Sequence, residues 1–365
     1  MKHGDNQATV MIGKRLVAID FLRTTAIVAV VSVHNLPVPI LNGGGARVLV
    51  SAIIGSLSKI GVPIFLIITG YLMLDRDYSG PKLRRFLKYN YLPLLVSFES
   101  WACIALIAKL VADPSVDNIM EGIRTMLLIG EPFMIHFWYM QMLLGIYLFI
   151  PVIAAFIRAC EQNADRYICM LIVTGAVFIF VLPTVQMVYN WLGGESDYEM
   201  TLGGFVGRGA LGVLYMLLGY ALKKNLFHVE NRAIRISMAL VSSGLLWGLS
   251  SMELALTNEL FLVTAGFFPI AFAAFAFSNW MIHAPMWYQC PVWFAKVLQY
   301  LAGYAFGIYM VHPLVHEVLA KLIPQDAHLI RIASLNPIAI FVISLCCCIL
   351  LSQLKPFRKW LLLQK

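Results

Sequence analysis

The chain has 365 residues, of which 60% are hydrophobic and 13% are charged, and its formal net charge is +8. Soluble globular chains average about 25% charged residues, so this composition excludes an ordinary soluble protein and a disordered one. The 27 Lys and Arg residues stand mostly singly between apolar stretches, which argues against nucleic acid as a partner. Any chemistry must therefore use residues within a membrane bundle or in its short loops.

Ten apolar runs of membrane-crossing length follow one another along the chain. The first run follows Lys14 and Arg15 as a signal peptide does, but it contains Asp20 and Arg23 and lacks a small-residue cleavage site, which favours a retained span. The runs lie near 16–36, 51–74, 91–112, 134–157, 167–190, 203–222, 234–252, 258–279, 298–320 and 333–353. The sequence therefore predicts an all-α, polytopic bundle of about ten transmembrane helices. We expect one membrane domain over 1–365, with about 16–353 embedded in the membrane.

The distribution of positive charge predicts the orientation of the bundle. With the N-terminus inside, nineteen of the 27 Lys and Arg residues fall in cytoplasmic segments, five in outer segments and three within spans. Cytoplasmic loops collect these residues. Both termini are therefore predicted to be cytoplasmic, each as a short tail.

Charged and polar residues share one face of the first span. Arg23 and His34 are eleven residues apart, which is about three helical turns and about 16 Å along the axis. Asp20 lies on the same face and is placed to pair with Arg23. Residues of this kind inside a membrane usually face a cavity or a partner. Together they suggest a polar path, whereas the alternative is that Arg23 reaches the cytoplasmic head groups and His34 caps the outer helix end.

Two further histidines are predicted at a similar outer depth. His136 begins the fourth span, which runs from outside to inside, and His312 lies toward the outer end of the ninth span. We therefore expect His34, His136 and His312 to converge. The histidines are spread singly without acidic or cysteine ligands at metal spacing, so no metal site is predicted.

The second span combines a lysine with helix-weakening residues. Lys59, Gly61 and Pro63 are followed by Gly70 within the same run. Such residues are tolerated where a cavity or a neighbouring helix supplies partners. The span therefore either lines a cavity or packs closely against its neighbours through small residues.

A short basic and aromatic stretch, 81–89, follows that span on the predicted cytoplasmic side. It contains Arg84 and Arg85. These arginines either contact acidic membrane lipids or cradle a phosphate-rich cofactor, since guanidinium groups present forked donors to phosphate oxygens. The sequence alone leaves both readings open.

Four sequence elements resemble the membrane-bound acyltransferase-3 family, and most closely its branch that O-acetylates envelope polysaccharides such as enterobacterial common antigen. The elements run in the family's order between about Ile19 and Pro313. They are Asp20-Phe21-Leu22-Arg23 through His34, the stretch from Lys59 to Leu72, His136-Phe137-Trp138-Tyr139 with Tyr147 and Pro151, and Gly307-Ile308-Tyr309 through His312-Pro313.

The resemblance implies an O-acetyltransferase of the bacterial inner membrane. It implies acetyl-CoA or another acyl-CoA as the donor on the cytoplasmic side, and a polysaccharide or lipid-linked glycan hydroxyl as the acceptor on the far side. It also implies that His34 is catalytic and that Arg23 helps to hold the donor. Lys88, five residues before Pro93, stands where the family has an arginine close to its proline, and we expect no hydrolase-like domain after the last span.

We expect His34 to act as general base on the acceptor hydroxyl or as a transient acyl carrier. The predicted catalytic residues are His34, His136 and His312, and the predicted donor-binding residues are Arg23, Lys59, Arg84, Arg85 and Tyr309. Of these, His136, His312, Tyr309 and Lys59 are also candidates for polarising the thioester or orienting His34, and the donor phosphates are assigned to Arg23, Arg84 and Arg85. A transporter or exporter of a glycan or small molecule is the alternative, since intramembrane charges and broken helices also mark translocation sites.

Overall fold

A computed structural model describes residues 11–12, 15–35, 55–134, 136–194, 207–227, 229–257, 264–323 and 336–364. Helices account for most of these residues. The strands present in them form one antiparallel pair, in which Met11 is opposite Leu16 and Ile12 is opposite Arg15. The helical character predicted from the sequence is confirmed.

The described part of the chain contains fourteen α-helices. The first seven are α1 (Val17–Asn35), α2 (Gly61–Met73), α3 (Pro81–Phe86), α4 (Leu92–Ala112), α5 (Val116–Met126), α6 (Phe137–Ala159) and α7 (Ala164–Gly175). The next seven are α8 (Leu182–Trp191), α9 (Arg208–Lys223), α10 (Arg232–Thr257), α11 (Phe268–Ile282), α12 (Val292–Leu322), α13 (Pro337–Ser352) and α14 (Lys355–Trp360).

Six helical segments in the described part are long and apolar enough to cross a membrane. They are Val17–Asn35, Gly55–Met73, Pro81–Val111, Phe137–Ala159, Ala164–Trp191 and Arg232–Leu256, and Pro337–Ser352 is a shorter apolar helix. The chain is thus multi-pass by the length and composition of its helices. Ten crossings and cytoplasmic termini stay predictions, and the starts of the second, sixth, eighth and tenth predicted spans lie outside the described residues.

Two of these long segments pass through a proline without breaking. Pro93 and Pro183 each follow a π-helical stretch, Leu87–Tyr91 and Ala176–Val181. A proline lacks an amide hydrogen and its ring clashes with the carbonyl four residues earlier. The wider π turn absorbs both effects, so α3 runs on into α4 and α7 runs on into α8.

Helix α1 packs at the centre of the bundle, against α2, α11, α12 and α13. Small residues bring α2 close to its neighbours: a Cβ placed on Gly61 would lie 2.8 Å from the Ala26 carbonyl oxygen of α1. A Cβ on Gly70 would lie 1.9 Å from the Met216 carbonyl oxygen of α9. Of the two readings of the second span, close packing is therefore the one that its glycines fit.

Candidate active site

Three histidine rings meet where α1 ends, α6 begins and α12 passes. His34 lies in the last turn of α1, His136 directly precedes α6, and His312 lies in the second half of α12. The ring centroids of His34 and His312 are 5.4 Å apart, and those of His136 and His312 are 6.1 Å apart. The convergence predicted for these three residues is confirmed, and we call them the histidine cluster.

The members of the histidine cluster differ in their exposure. His34 is exposed, whereas His136 and His312 are 2% and 0% exposed. His34 is therefore the member of the cluster that keeps accessible surface. A fourth histidine, His316, follows one turn after His312 on α12 and interacts electrostatically with both His34 and His312. Its spacing of four residues from His312 was the available sequence signal, and sequence reasoning missed it.

The orientation of the His312 ring is fixed by its own helix. Nδ1 of His312 lies 3.1 Å from the Ile308 carbonyl oxygen and 2.7 Å from the Tyr309 carbonyl oxygen. Two acceptors at Nδ1 require that this nitrogen carries the hydrogen, which leaves the lone pair on Nε2. The Tyr309 carbonyl is the one that Pro313 cannot satisfy, because proline has no amide hydrogen. The histidine before this proline thus supplies the missing donor.

Two ring nitrogens of the cluster are buried without a hydrogen bond to any residue that the structure describes. They are Nε2 of His136 and Nε2 of His312. Leaving a buried polar atom unpaired costs about 1–3 kcal/mol. Sites that carry this cost in native proteins are often those that bind or react. The lone pair on Nε2 of His312 can accept a hydrogen bond from a molecule that enters beside His34.

Tyr309 ties α12 to the start of α6. Its buried hydroxyl donates to the backbone carbonyl of His136, and its ring lies 6.0 Å from the His136 ring and 5.4 Å from the Tyr139 ring. The sequence prediction assigned Tyr309 to donor binding or to positioning. Its hydroxyl is engaged with backbone, so the geometry gives it a part in holding His136 in place.

Arg23 lies three turns below the histidine cluster on the unbroken helix α1. Its guanidinium is 3.9 Å from the Asp20 carboxylate, which is the expected pairing, and its charge interacts with the Tyr147 hydroxyl of α6. The polar path expected along this face is interrupted, because Ile27 and Val30 are both buried there between Arg23 and His34. Their burial follows from tight packing in the core of the bundle.

Lys59, a candidate for donor binding or for orienting His34, forms a buried ion pair. Its Nζ lies 3.2 Å from Oε2 of Glu253 on α10, and both side chains are buried. Lys59 occupies the turn before α2, so the ion pair fastens this turn to α10. Sequence reasoning missed Glu253, although a lone acidic residue in an apolar helix signals a partner of opposite charge.

Arg84 and Arg85 are exposed on the short helix α3. Neither has an ion pair or a hydrogen bond among the described residues. Their neighbours differ in this respect, since Lys82 and Arg158 both pair with Asp77. Phe86, which is buried, holds α3 in place by packing against the Tyr78 ring. The two arginines are therefore held on a fixed helix with their guanidinium groups available.

A polar cavity of about 170 Å³ lies near the start of α1. Ala18 contributes to its lining, together with Lys223 and His283. The His283 ring is held by the Asn279 carbonyl oxygen at 2.9 Å and by Oδ1 of Asn225 at 3.1 Å. The sequence prediction did not single out this cavity, because its residues come from distant helices.

The described residues contain no group of three or more His, Cys, Asp or Glu side chains that could hold a metal ion. What they contain is a helical membrane bundle with a histidine cluster at the end of α1 and exposed arginines on α3. The chain belongs to the acyltransferase-3 family: the model of its acyltransferase domain matches residues 16–354. The protein is therefore a membrane acyltransferase. No curated protein and no solved structure was found to match the chain significantly.

Proposed function

We propose that the protein is an O-acyltransferase of the bacterial inner membrane that moves an acetyl group from acetyl-CoA to a hydroxyl of an envelope polysaccharide or lipid-linked glycan. The donor enters from the cytoplasm and the acceptor from the far side. The observation that carries this proposal is the exposed His34 ring lying edge-on to the buried His312 ring, at 5.4 Å between centroids.

The chemistry needs a base that the acceptor can reach. His34 is exposed, so its ring can take the proton of an acceptor hydroxyl as the oxygen attacks the thioester carbonyl. The carbon–sulfur bond then breaks, and the protonated His34 returns the proton to the CoA thiolate. In the alternative route, the His34 ring nitrogen attacks the thioester carbonyl and the carbon–sulfur bond breaks to release the CoA thiolate. The acceptor hydroxyl then attacks the acyl-histidine, the carbon–nitrogen bond breaks, and the hydroxyl proton neutralises the thiolate.

The neighbouring rings prepare His34 for either route. His312 is held by the Ile308 and Tyr309 carbonyls through Nδ1, so the lone pair on its Nε2 is free to accept a hydrogen bond from the His34 ring and so orient it. His136 is held in place through its backbone by Tyr309. These two rings are positioning groups in the proposal, and His34 is the catalytic one.

Arginine side chains bind the donor phosphates in this proposal. Arg84 and Arg85 present unpaired guanidinium groups on α3. Arg23 lies on α1, about three helical turns before His34. Arginine forms bidentate hydrogen bonds to phosphate oxygens. Because Ile27 and Val30 fill the face between Arg23 and His34, the thioester reaches His34 only after these apolar side chains move.

The test is transfer of labelled acetyl groups from acetyl-CoA to envelope glycan by purified protein at matched abundance. His34→Ala is expected to lower the rate about 100-fold or more, as removal of a general base does, and Arg23→Ala is expected to weaken donor use. Val28→Ala, at an exposed position on the same helix, is the control and keeps the wild-type rate. Full transfer by His34→Ala would overturn the role of His34, and no acylated product from the wild type would favour a transporter.

A further inference from the structure

An apolar groove lies along α12, the helix that carries His312. It has a volume of about 960 Å³. Helices α4, α12 and α13 form its walls and α14 forms its floor. Its lining includes Ile104, Val315, Val318, Ile343, Leu351 and Phe357. Pockets for small ligands commonly hold about 300–1,000 Å³, so this groove is large enough for a sizeable ligand.

The chemistry of the groove favours a hydrocarbon chain. Two of its polar side chains are already satisfied: the Ser100 hydroxyl donates to the Val96 carbonyl at 2.8 Å, and the Trp101 indole donates to the Leu361 carbonyl at 3.0 Å. These groups leave little for a polar ligand to bind. Since α4 belongs to a candidate membrane span, the surrounding medium is itself a source of such chains.

The floor of the groove is fixed in place. The Leu361 carbonyl accepts from the Ser97 hydroxyl and from the Trp101 indole, both at 3.0 Å. Leu362 is buried, and its side chain approaches Gly307 of α12. The segment after α13 therefore docks against α4 and α12, although the sequence predicted only a short tail there.

Positive charge flanks the floor on the same short helix. Phe357 and Trp360 of α14 line the groove, while Lys355, Arg358 and Lys359 are exposed on α14. The Lys359 Nζ lies 4.7 Å from the Trp360 ring centroid. An apolar groove that ends at exposed cations matches a molecule with a long hydrocarbon chain and an anionic head.

We propose that this groove binds an anionic phospholipid, with an acyl chain between α4, α12 and α13 and the head-group phosphate on Lys355 and Lys359. Basic sites beside membrane helices bind anionic head groups in this way. A zwitterionic lipid such as phosphatidylcholine offers these lysines no net negative charge, because its ammonium group offsets its phosphate, and free phosphate offers no chain to the groove. The wall residues Val311 and Val315 flank His312 along α12, so a bound lipid also steadies the helix that carries His312. The proposal does not depend on the identity of the donor or acceptor.

The experiment is native mass spectrometry of the delipidated full-length protein, titrated with phosphatidylglycerol or phosphatidylcholine of the same acyl chains. We expect phosphatidylglycerol to bind more tightly. Lys355→Gln and Lys359→Gln should each weaken it about fivefold, the effect of one cation near a lipid surface. Lys296→Gln, which removes an exposed lysine elsewhere on α12, is the matched control and should change nothing.

Filling the groove tests the chain contact separately. Ile343→Trp is expected to abolish tight binding of phosphatidylglycerol, and Cys347→Leu is the milder variant should the larger side chain prevent folding. Equal affinity for the two lipids would overturn the proposal. Wild-type affinity for phosphatidylglycerol in a folded groove-filling variant would also overturn it. So would a melting temperature that rises as much with inorganic phosphate alone as with phosphatidylglycerol.

Discussion

His312 donates through Nδ1 to the backbone carbonyl of Tyr309 at 2.7 Å, and this carbonyl is the one that Pro313 leaves without an amide partner. One side chain thus satisfies the carbonyl that the proline leaves open, while its second nitrogen, Nε2, stays buried without a hydrogen bond to any described residue. The pair explains why a histidine directly precedes this proline in α12.

The two nitrogens of His312 can be separated by substitution. His312→Asn keeps a donor near the Tyr309 carbonyl but removes Nε2, so we expect a melting temperature close to that of the wild type and a kcat at least tenfold lower. His312→Leu removes both nitrogens and should also lose about 1–3 kcal/mol of stability, because the carbonyl is left unpaired in the core. Melting curves and acetyl-transfer rates at saturating substrates measure the two effects. A wild-type kcat for His312→Asn would contradict a part for Nε2 in the reaction.

The buried ion pair between Lys59 and Glu253 should respond strongly to loss of one partner. Lys59→Met or Glu253→Gln removes one charge of this buried ion pair, and we expect the free energy of unfolding to fall by about 3–5 kcal/mol. We expect either single variant to melt at a much lower temperature and the double variant Lys59→Met/Glu253→Gln to recover much of the loss. Thermal unfolding in detergent, read by size-exclusion chromatography, gives the comparison. If the double variant lost the sum of the two single losses, the pair would not be coupled.

The fold class and the convergence of the three histidines could be predicted from the sequence. The apolar runs mark the spans, and the alternating direction of successive spans indicates at what depth in the membrane each residue lies. The depth of a residue in the membrane does not show which helices are in contact. For this reason the partner of Lys59 on α10, the docking of Leu361 under α4 and the cavity around His283 were not predicted. The burial of Ile27 and Val30 was missed for a related reason: helical spacing shows that residues share a face, but only packing shows whether that face is open.

Arg84 and Arg85 are expected to affect donor binding rather than chemistry. Replacing both by Gln removes the two groups that we propose bind the donor phosphates, so the KM for acetyl-CoA should rise at least tenfold while kcat stays within about twofold of wild type, the pattern of lost uniform binding. Arg166→Gln, an exposed arginine on α7, is the control. Initial rates over a range of acetyl-CoA concentrations measure both constants. A large fall in kcat with an unchanged KM would count against a phosphate-binding part.

Asp77 links the loop before α3 to the end of α6. Its carboxylate bonds to Lys82 and to the Ser79 amide and lies beside Arg158, and these contacts hold the pKa of Asp77 well below its usual range. Because the pKa of Asp77 is lower in the folded protein than in the unfolded chain, where it is about 4, the ionised carboxylate stabilises the fold at pH values above about 4. This stabilisation is lost progressively as the pH falls below about 4.

We therefore expect Asp77→Asn to melt at a lower temperature than wild type at pH 7, with a gap that narrows as the pH is lowered through about 4. High salt should narrow the gap as well, because these groups are exposed and their attraction is screened. Melting temperatures of the two proteins across pH and salt provide the test. A gap that stayed constant from pH 7 to pH 3 would show that the ionised carboxylate is not what matters at this position.

The crossing of α2 and α9 depends on two glycines that let the backbones touch. A Cβ on Gly70 would lie 1.9 Å from the Met216 carbonyl oxygen, and a Cβ on Gly219 would lie 1.9 Å from the Ile67 carbonyl oxygen. Backbone atoms cannot rotate away as side chains do, so Gly70→Ala must push the helices apart, at a cost of about 3 kcal/mol or more.

Gly303→Ala is the matched control, since no atom lies within 4 Å of the added Cβ on α12. Alanine is the better helix former, so this control should melt at or above the wild-type temperature. Equal melting temperatures for Gly70→Ala and Gly303→Ala would mean that α2 and α9 do not approach this closely in the membrane.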